Sequence, residues 1–280
     1  MKLGRSDANP DWAFADSSWL FNVPKHTFGI VSYCSLSYLD AFEFSIDSWL
    51  KNGKANEVVI YTDSPEFARR AKPREKVRFV HAFATPVEKL VKYPWQRKIE
   101  AIQMYYETTL HPYFVYLDCD CWVQQEFKEV FSSMSETQIV GTRLLGRDNR
   151  GKGEANAGVV FFRHHPTLDH FFKLWNERAQ HYEKANHVNY EQDSLSRLVI
   201  EAFDGKHPFR ASLISERIYN CEHDIDDLWL QDIKQYQPKI VHFKQKRFRN
   251  KDLKQAVFAL LDVQSTYVEK ATIIQTGKSF

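Results

Sequence analysis

Asp118 and Asp120 stand two residues apart, with Cys119 between them, at the end of the apolar run Phe114-Val115-Tyr116-Leu117. A run of that length and composition reads as a buried strand. Two carboxylates at the carboxyl edge of a parallel strand can hold a hard divalent cation against a ligand's phosphates. The chemistry indicated is metal-assisted work on a nucleotide. The same residues would also serve an ordinary solvated turn, so the surrounding elements and the distant residues they position must decide between the two.

From Thr27 the chain alternates strand and helix patterns. Phe28-Gly29-Ile30-Val31 has strand character, followed by Leu39, Phe42, Ile46, Trp49 and Leu50 at helical spacing, closed by Gly53. Glu57 to Tyr61 forms a second strand that ends at Thr62-Asp63-Ser64-Pro65, where a short helix starts, and Val77 to Val80 supplies a third strand. Trp95, Ile99, Ile102 and Tyr106 share one face of a helix over 94–108 leading into the strand that bears Asp118. Further on, Ile139-Val140 and Val159 to Phe162 read as strands, Thr167 to Tyr182 and Glu191 to Phe203 as helices, and Lys239 to Phe243 as a late strand. The pattern predicts an α/β fold with a mostly parallel sheet flanked by helices and ligands bound beyond the strands' carboxyl ends.

A main domain is expected over residues 27–250. It follows an irregular extension over 1–26, where Asn9-Pro10, Asp16-Ser17-Ser18 and Pro24 interrupt scattered aromatics, and precedes a C-terminal helical extension over 251–280. The 280 residues, 43% hydrophobic and 15% aromatic, suffice for one large core or two smaller ones. A formal charge of +2 is too small to recruit nucleic acid or a membrane by global electrostatics. Locally, Lys244, Lys246, Arg247, Arg249, Lys251 and Lys254 form a basic segment. Cys34, Cys119, Cys121 and Cys221 lack the paired spacing of a zinc site, and no secretory apolar run follows Met1. Reduced thiols in a cytoplasmic protein are therefore expected. No apolar run approaches the roughly 20 residues of a membrane-spanning helix.

Four separated motifs carry a family resemblance. They are Tyr116-Leu117-Asp118-Cys119-Asp120, Asn156-Ala157-Gly158-Val159-Val160, Glu191-Gln192-Asp193-Ser194-Leu195 and His242-Phe243-Lys244, with Ile218-Tyr219-Asn220 as a fifth point of likeness. In order and spacing, over roughly residues 27–247, the chain resembles retaining GT-A fold glycosyltransferases of the glycogenin-like and lipopolysaccharide galactosyltransferase-like kind. Ala157 replaces the Ser usual in the second motif, and Glu191 replaces the first Asp of the third.

The resemblance implies transfer of a hexose from a nucleotide sugar, with a UDP-sugar the expected donor, to a saccharide, glycolipid, protein or modified nucleic-acid acceptor. Retention at the anomeric carbon is also implied. Loss of a nucleoside diphosphate puts negative charge on the leaving group, which Mn²⁺ or Mg²⁺ neutralises as a Lewis acid. Asp120 is the expected ligand, and Asp118 supplies a second oxygen or bridges ribose and metal. The resemblance makes His242 the third ligand. It also places Glu191, Gln192 and Asp193 near the anomeric carbon and Asn156 against the donor sugar, although helix capping would equally explain acids at a helix start.

Lys244 and Lys246 follow the His motif at once, in position to close over the diphosphate. Arg97 and Lys98, on the helix before the acidic pair, are candidates for the donor's phosphate or sugar. Tyr33 and Asp63, after the first two strands, are candidates for base and ribose.

Two other classes compete. Haloacid-dehalogenase-like phosphatases also present a nucleophilic aspartate as apolar strand plus Asp-x-Asp, and Asp226-Asp227 would imitate their later acidic pair. That motif, however, ends their first core strand, whereas two βα units precede Asp118 here. The third reading is a non-catalytic sugar or nucleotide binder, or an adaptor docking nucleic acid through the basic segment from Lys244 to Lys254.

Overall fold

The computed structural model describes residues 27–83, 95–143, 155–185, 190–223 and 225–261. The expected N-terminal extension and most of the C-terminal one, from residue 262 onward, lie outside the described residues.

Strand β1 (Phe28–Tyr33) pairs in parallel with β2 (Glu57–Thr62) on one side and β4 (Tyr113–Leu117) on the other, and β2 carries β3 (Val77–His81) at the edge. β1, β2 and β4 are apolar on both faces because helices cover both sides of the sheet, while the edge strand β3 exposes Arg78 and His81. Val31, Val59, Phe114 and Tyr116 pack under α3 (Trp95–Thr108), α5 (Thr167–Lys184) and α6 (Tyr190–Phe203). Ile30, Val58, Ile60, Val115 and Leu117 pack under α1 (Leu39–Lys51), α2 (Pro65–Arg70) and α4 (Lys128–Ser132). Ser64 Oγ caps α2 by accepting from Phe67 N at 3.4 Å, with Pro65 in the first turn.

The sheet has seven strands in the order β3-β2-β1-β4-β7-β6-β8, with β6 at Ile139–Arg143, β7 at Ala155–Arg163 and β8 at Ala211–Ser215. Mostly parallel, as expected, it includes one reversal: β7 runs antiparallel to both β4 and β6. That reversal lays the backbone of Asn156, Ala157 and Gly158 beside the end of β4, where Asp118 N donates to Gly158 O at 2.8 Å.

A two-stranded ladder that periodicity did not foretell pairs β5 (Cys121–Val123) with β9 (Ile240–His242). Its core joins Trp122, Val241 and Phe243 to Phe44 of α1 and to α8 (Asp226–Tyr236) and α10 (Lys251–Leu260). Asn250 Oδ1 caps α10 by accepting from Leu253 N at 3.0 Å, and Phe258 stacks on Phe44 at 5.6 Å. Among the described residues, no helix is long and apolar enough to cross a membrane.

Candidate active site

The short ladder assembles the site. Its register sets Cys121 opposite His242, so the residue before Cys121, Asp120, lies beside the imidazole, and Phe243 N donates to Asp120 O at 3.1 Å. Helix α1 anchors β5: Trp49 Nε1 donates to Cys121 O at 2.7 Å, and Val123 N donates to Ser48 Oγ at 2.9 Å. His242 Nε2 lies 3.1 Å from Asp120 Oδ1 and 3.9 Å from Asp118 Oδ2. The acidic pair and the downstream histidine therefore converge at the carboxyl end of β4. Gly158 makes room for them, since a Cβ there would stand 2.8 Å from His242 Cε1 and 3.0 Å from Asp118 Oδ2.

Asp118 is fixed from below. Tyr116 Oη donates to its Oδ1 at 2.7 Å, and Lys98 Nζ lies 3.0 Å from Oδ1. Lys98 is buried; its ammonium also donates to Ala157 O at 3.4 Å and stands 3.9 Å from Glu191 Oε1. Burial opposes its charge, but Asp118 and then Glu191 outweigh it and raise its pKa. Glu191, at the start of α6, is pushed up by burial against the pull of Lys98, and its Oε2 is buried without a hydrogen-bond partner. The helix start is fixed by its backbone, where Glu191 O accepts from Trp175 Nε1 and Ser194 Oγ, both at 2.9 Å. Gln192 and Asp193 are half-buried in the same turn.

The neighbouring acids favour protonation of the imidazole. Burial lowers the pKa of His242, yet Asp120 and Glu222 carry it up to about 10. Its Nδ1 lies 3.0 Å from Glu222 Oε2 and 3.2 Å from Asn220 Oδ1. Both are acceptors, so Nδ1 carries a proton and Nε2 is the nitrogen turned to the acids. Glu222 itself is raised by burial but held down to about 2 by His242 and Lys244.

Asp120 and His242 offer a carboxylate oxygen and an imidazole nitrogen suited to a divalent cation, with Asp118 Oδ2 3.9 Å from the same nitrogen. The 3.1 Å separation of Nε2 and Asp120 Oδ1 matches neighbouring ligands about 2.1 Å from one ion, which stand about 3 Å apart. Cys121 Sγ also falls within reach of Asp120 and His242. Burial, then Asp120 and Asp118, raise the pKa of its thiol, and a bound cation would release that proton.

Around this centre the other expected residues fall into groups. Asn156 Oδ1 accepts from Gly158 N at 2.7 Å, which leaves its amide nitrogen as the group able to donate elsewhere. Tyr33 Oη donates to Asp63 Oδ2 at 3.0 Å, Phe83 meets the Tyr33 ring edge-on, and the Arg97 guanidinium covers Phe83 at 4.3 Å. These four make a separate cluster at the carboxyl edge of β1 and β2.

Lys244 opens α9 (Lys244–Arg249), with its Nζ 3.0 Å from Glu222 Oε1. Lys246 lies on the α9 backbone, and its side chain falls outside the described residues. Sequence reasoning missed Glu222, an acid with no local pattern to mark it. It also missed Tyr38, whose phenol is raised by burial and by Cys119, Asp120 and Asp118. All four cysteines are free thiols.

Two observations bear on the competing readings. Asp226 accepts from Arg247 Nε at 2.6 Å, which commits it to an ion pair rather than to a phosphatase site with Asp118. Three cations of the basic segment face partners of the chain itself: Lys244 pairs with Glu222, Arg247 covers Trp229 at 4.6 Å, and Lys254 is buried over Phe44 at 5.3 Å, while Arg249 and Lys251 are exposed. Burial of Arg247 and Lys254 takes these two cations out of any contiguous surface that nucleic-acid docking would use.

A mixed sheet with one reversed strand, an acidic pair at its central carboxyl edge and a histidine returned to it by a small second ladder define the GT-A glycosyltransferase fold. The chain is similar to the glycosyltransferase GlyE of Streptococcus pneumoniae TIGR4, at 13% identity and a TM-score of 0.56, over 91% of this chain and 66% of GlyE. It is likewise similar to apo GlyE (14%, TM-score 0.55, 89% of this chain and 64% of that one). A third similar structure is the galactosyltransferase LgtC in complex with donor and acceptor sugar analogues (15%, TM-score 0.53, 86% and 99%). At such identities the likeness establishes the fold. No protein-family model matches the chain. No curated protein matches it either.

Proposed function

We propose that this chain is a metal-dependent glycosyltransferase that moves a hexose from a UDP-sugar to an acceptor with retention of anomeric configuration. One observation carries the reading: His242 Nε2 lies 3.1 Å and 3.9 Å from the two acids that end the central strand. The shared fold with GlyE and LgtC supports it.

In this reading Asp118, Asp120 and His242 hold Mn²⁺ or Mg²⁺, which supplies Lewis-acid neutralisation of the departing diphosphate. Lys98 holds Asp118 in place. Lys244 and Lys246 add positive charge where the diphosphate leaves, and Tyr33, Asp63 and Arg97 take the base and ribose. The Asn156 amide donates to a sugar hydroxyl. Glu191 offers its unpartnered oxygen to another hydroxyl, and Gln192 and Asp193 flank the reacting face.

Retention follows a front-face path in which the leaving phosphate oxygen takes the acceptor's proton, so these residues orient the reactants and exclude water. The acceptor is a saccharide, glycolipid, protein or modified nucleic acid, and the reaction belongs to the cytoplasm.

The test is a screen of sugar nucleotides with Mn²⁺ for released UDP, followed by stereochemical analysis of the product. Asp120→Ala is expected to lower turnover at least 100-fold, the scale set by loss of one transition-state electrostatic contact. Turnover at the parent rate in that variant overturns the site.

A further inference from the structure

Glu222 is a buried carboxylate with no part yet assigned in the reaction. Glu222 lies on the segment between α7 (Glu216–Tyr219) and α8, is 6% exposed, and touches two residues of the site at once. Its Oε2 is 3.0 Å from His242 Nδ1 and its Oε1 is 3.0 Å from Lys244 Nζ. A buried carboxylate is costly unless its lone pairs are filled, and here both oxygens are engaged by groups the proposed chemistry uses. The segment is tied to the ladder by its backbone: Cys221 N donates to Ile240 O at 2.8 Å, and His242 N donates to Cys221 O at 3.0 Å. Glu222 cannot drift from the imidazole without breaking that pairing.

We propose that Glu222 is the positioning residue of the site: it fixes the His242 ring with Nδ1 protonated and Nε2 directed at Asp120, and it anchors Lys244 beside the same centre.

The inference rests on the metal-site reading above. An imidazole ligand binds a cation through one nitrogen only if the other keeps its proton, and a carboxylate at the far nitrogen selects that tautomer and raises the ring's basicity. Asn220 Oδ1 at 3.2 Å points the same way, with Asn220 Nδ2 donating to Thr142 Oγ1 at 3.2 Å and so fixing which end of the amide faces the ring.

The arrangement also explains the backbone of Lys244. That residue has φ 49, in the left-handed region that non-glycine residues occupy at a cost. Its ion pair with Glu222 holds the conformation that starts α9 directly after the histidine strand. One carboxylate thereby joins a ligand to a cation of the diphosphate subsite.

The experiment titrates Mn²⁺ alone into the full chain by calorimetry, for the parent, Glu222→Ala, His242→Ala and the double variant, with folding checked by circular dichroism. Glu222→Ala is expected to weaken Mn²⁺ binding about 10- to 100-fold, while the double variant binds as His242→Ala does, because Glu222 acts through the ring. A role in folding alone would lower the melting temperature and leave the affinity of the folded fraction unchanged, and that result overturns the proposal. Losses that multiply in the double variant also overturn it. Should Glu222→Ala fail to fold, Glu222→Gln, which keeps the volume and one acceptor, carries the same comparison with a loss near tenfold. If His242→Ala leaves Mn²⁺ binding unaltered, the metal-site reading itself has failed, an outcome distinct from a parent-like Glu222 variant in a working site.

Discussion

Gly158→Ala adds one methyl group at the most crowded point of the site. Its Cβ would stand 2.8 Å from His242 Cε1 and 3.0 Å from both Asn156 Oδ1 and Asp118 Oδ2, where ordinary contact begins at 3.4 Å. The shortfall against the imidazole is 0.6 Å, and the ring has little freedom to yield. Its far side is held by Glu222 at 3.0 Å and Asn220 at 3.2 Å. The backbone is held on the β4 side, where Gly158 O accepts from Asp118 N at 2.8 Å, while on the β6 side Gly158 lies in a bulge between the Val160–Gly141 and Asn156–Thr142 pairs.

Overpacking of this kind costs about 1–3 kcal/mol of stability, which lowers the melting temperature by about 2–4 °C per kcal/mol in a chain of this size. A displacement of His242 or Asp118 by even half an ångström falls on the proposed metal set, where an error of about 1 Å costs about 100-fold in rate. We expect turnover reduced 10- to 100-fold at a temperature where circular dichroism shows full folding, together with weaker Mn²⁺ binding. Gly141→Ala is the control. Its Cβ would meet Leu213 Cδ2 at 3.2 Å and Ala155 Cβ at 3.4 Å, apolar atoms in the same sheet away from the acids. It should lose stability while turnover per folded molecule is kept. Parent-like turnover and Mn²⁺ affinity in Gly158→Ala would refute the placement of His242 against Asp118.

Lys98→Met leaves Asp118 and Glu191 without the buried cation between them and should destabilise the protein by about 3 kcal/mol, the lower end for a broken buried pair because Asp118 keeps some exposure. Added Mn²⁺ should recover part of that loss in chemical denaturation; no destabilisation would refute the pairing. Tyr33→Phe removes the hydrogen bond to Asp63 and should weaken UDP binding about fivefold, the scale of one hydrogen bond, with Mn²⁺ binding kept; unchanged UDP affinity would exclude this cluster from the nucleotide subsite.

Glu201, though raised by burial, is held down to about 2 by His207, Arg178 and Arg197. A carboxyl depressed in the folded state stabilises fully above its ordinary range near 4.5 and loses that contribution as pH falls toward 2. Glu201→Gln should therefore cost about 1–2 kcal/mol at pH 7, reduced by screening at the half-exposed Arg197, and flatten the acid limb of the stability curve between pH 5 and 2. Parallel curves for parent and variant would refute the assignment.

Local pattern carried a large part of this protein. The stripe of Ile99, Ile102 and Tyr106 placed α3, the apolar runs placed β1, β2 and β4, and Asp118 and Asp120 were legible because an abrupt change from apolar to acidic marks a strand's end. Such features depend on neighbours within a turn or two, which a sequence displays directly. Lys98 is the instructive contrast. From its place before the acidic pair it is a candidate for the donor's phosphate or sugar, yet packing of α3 against β1 buries its ammonium between Asp118 and Glu191.

The same holds for β7, whose composition suits a strand of either direction, so its reversal was settled by pairing with β4 and β6. His242 met Asp120 through the three-residue ladder of β5 and β9, and Glu222 reached the far side of the imidazole through a connection that has no periodicity at all. Backbone pairing between distant segments is chosen by register and burial summed over the whole fold. Residue types alone could nominate the ligands, and assembly of the sheet and its small second ladder set the distances between them.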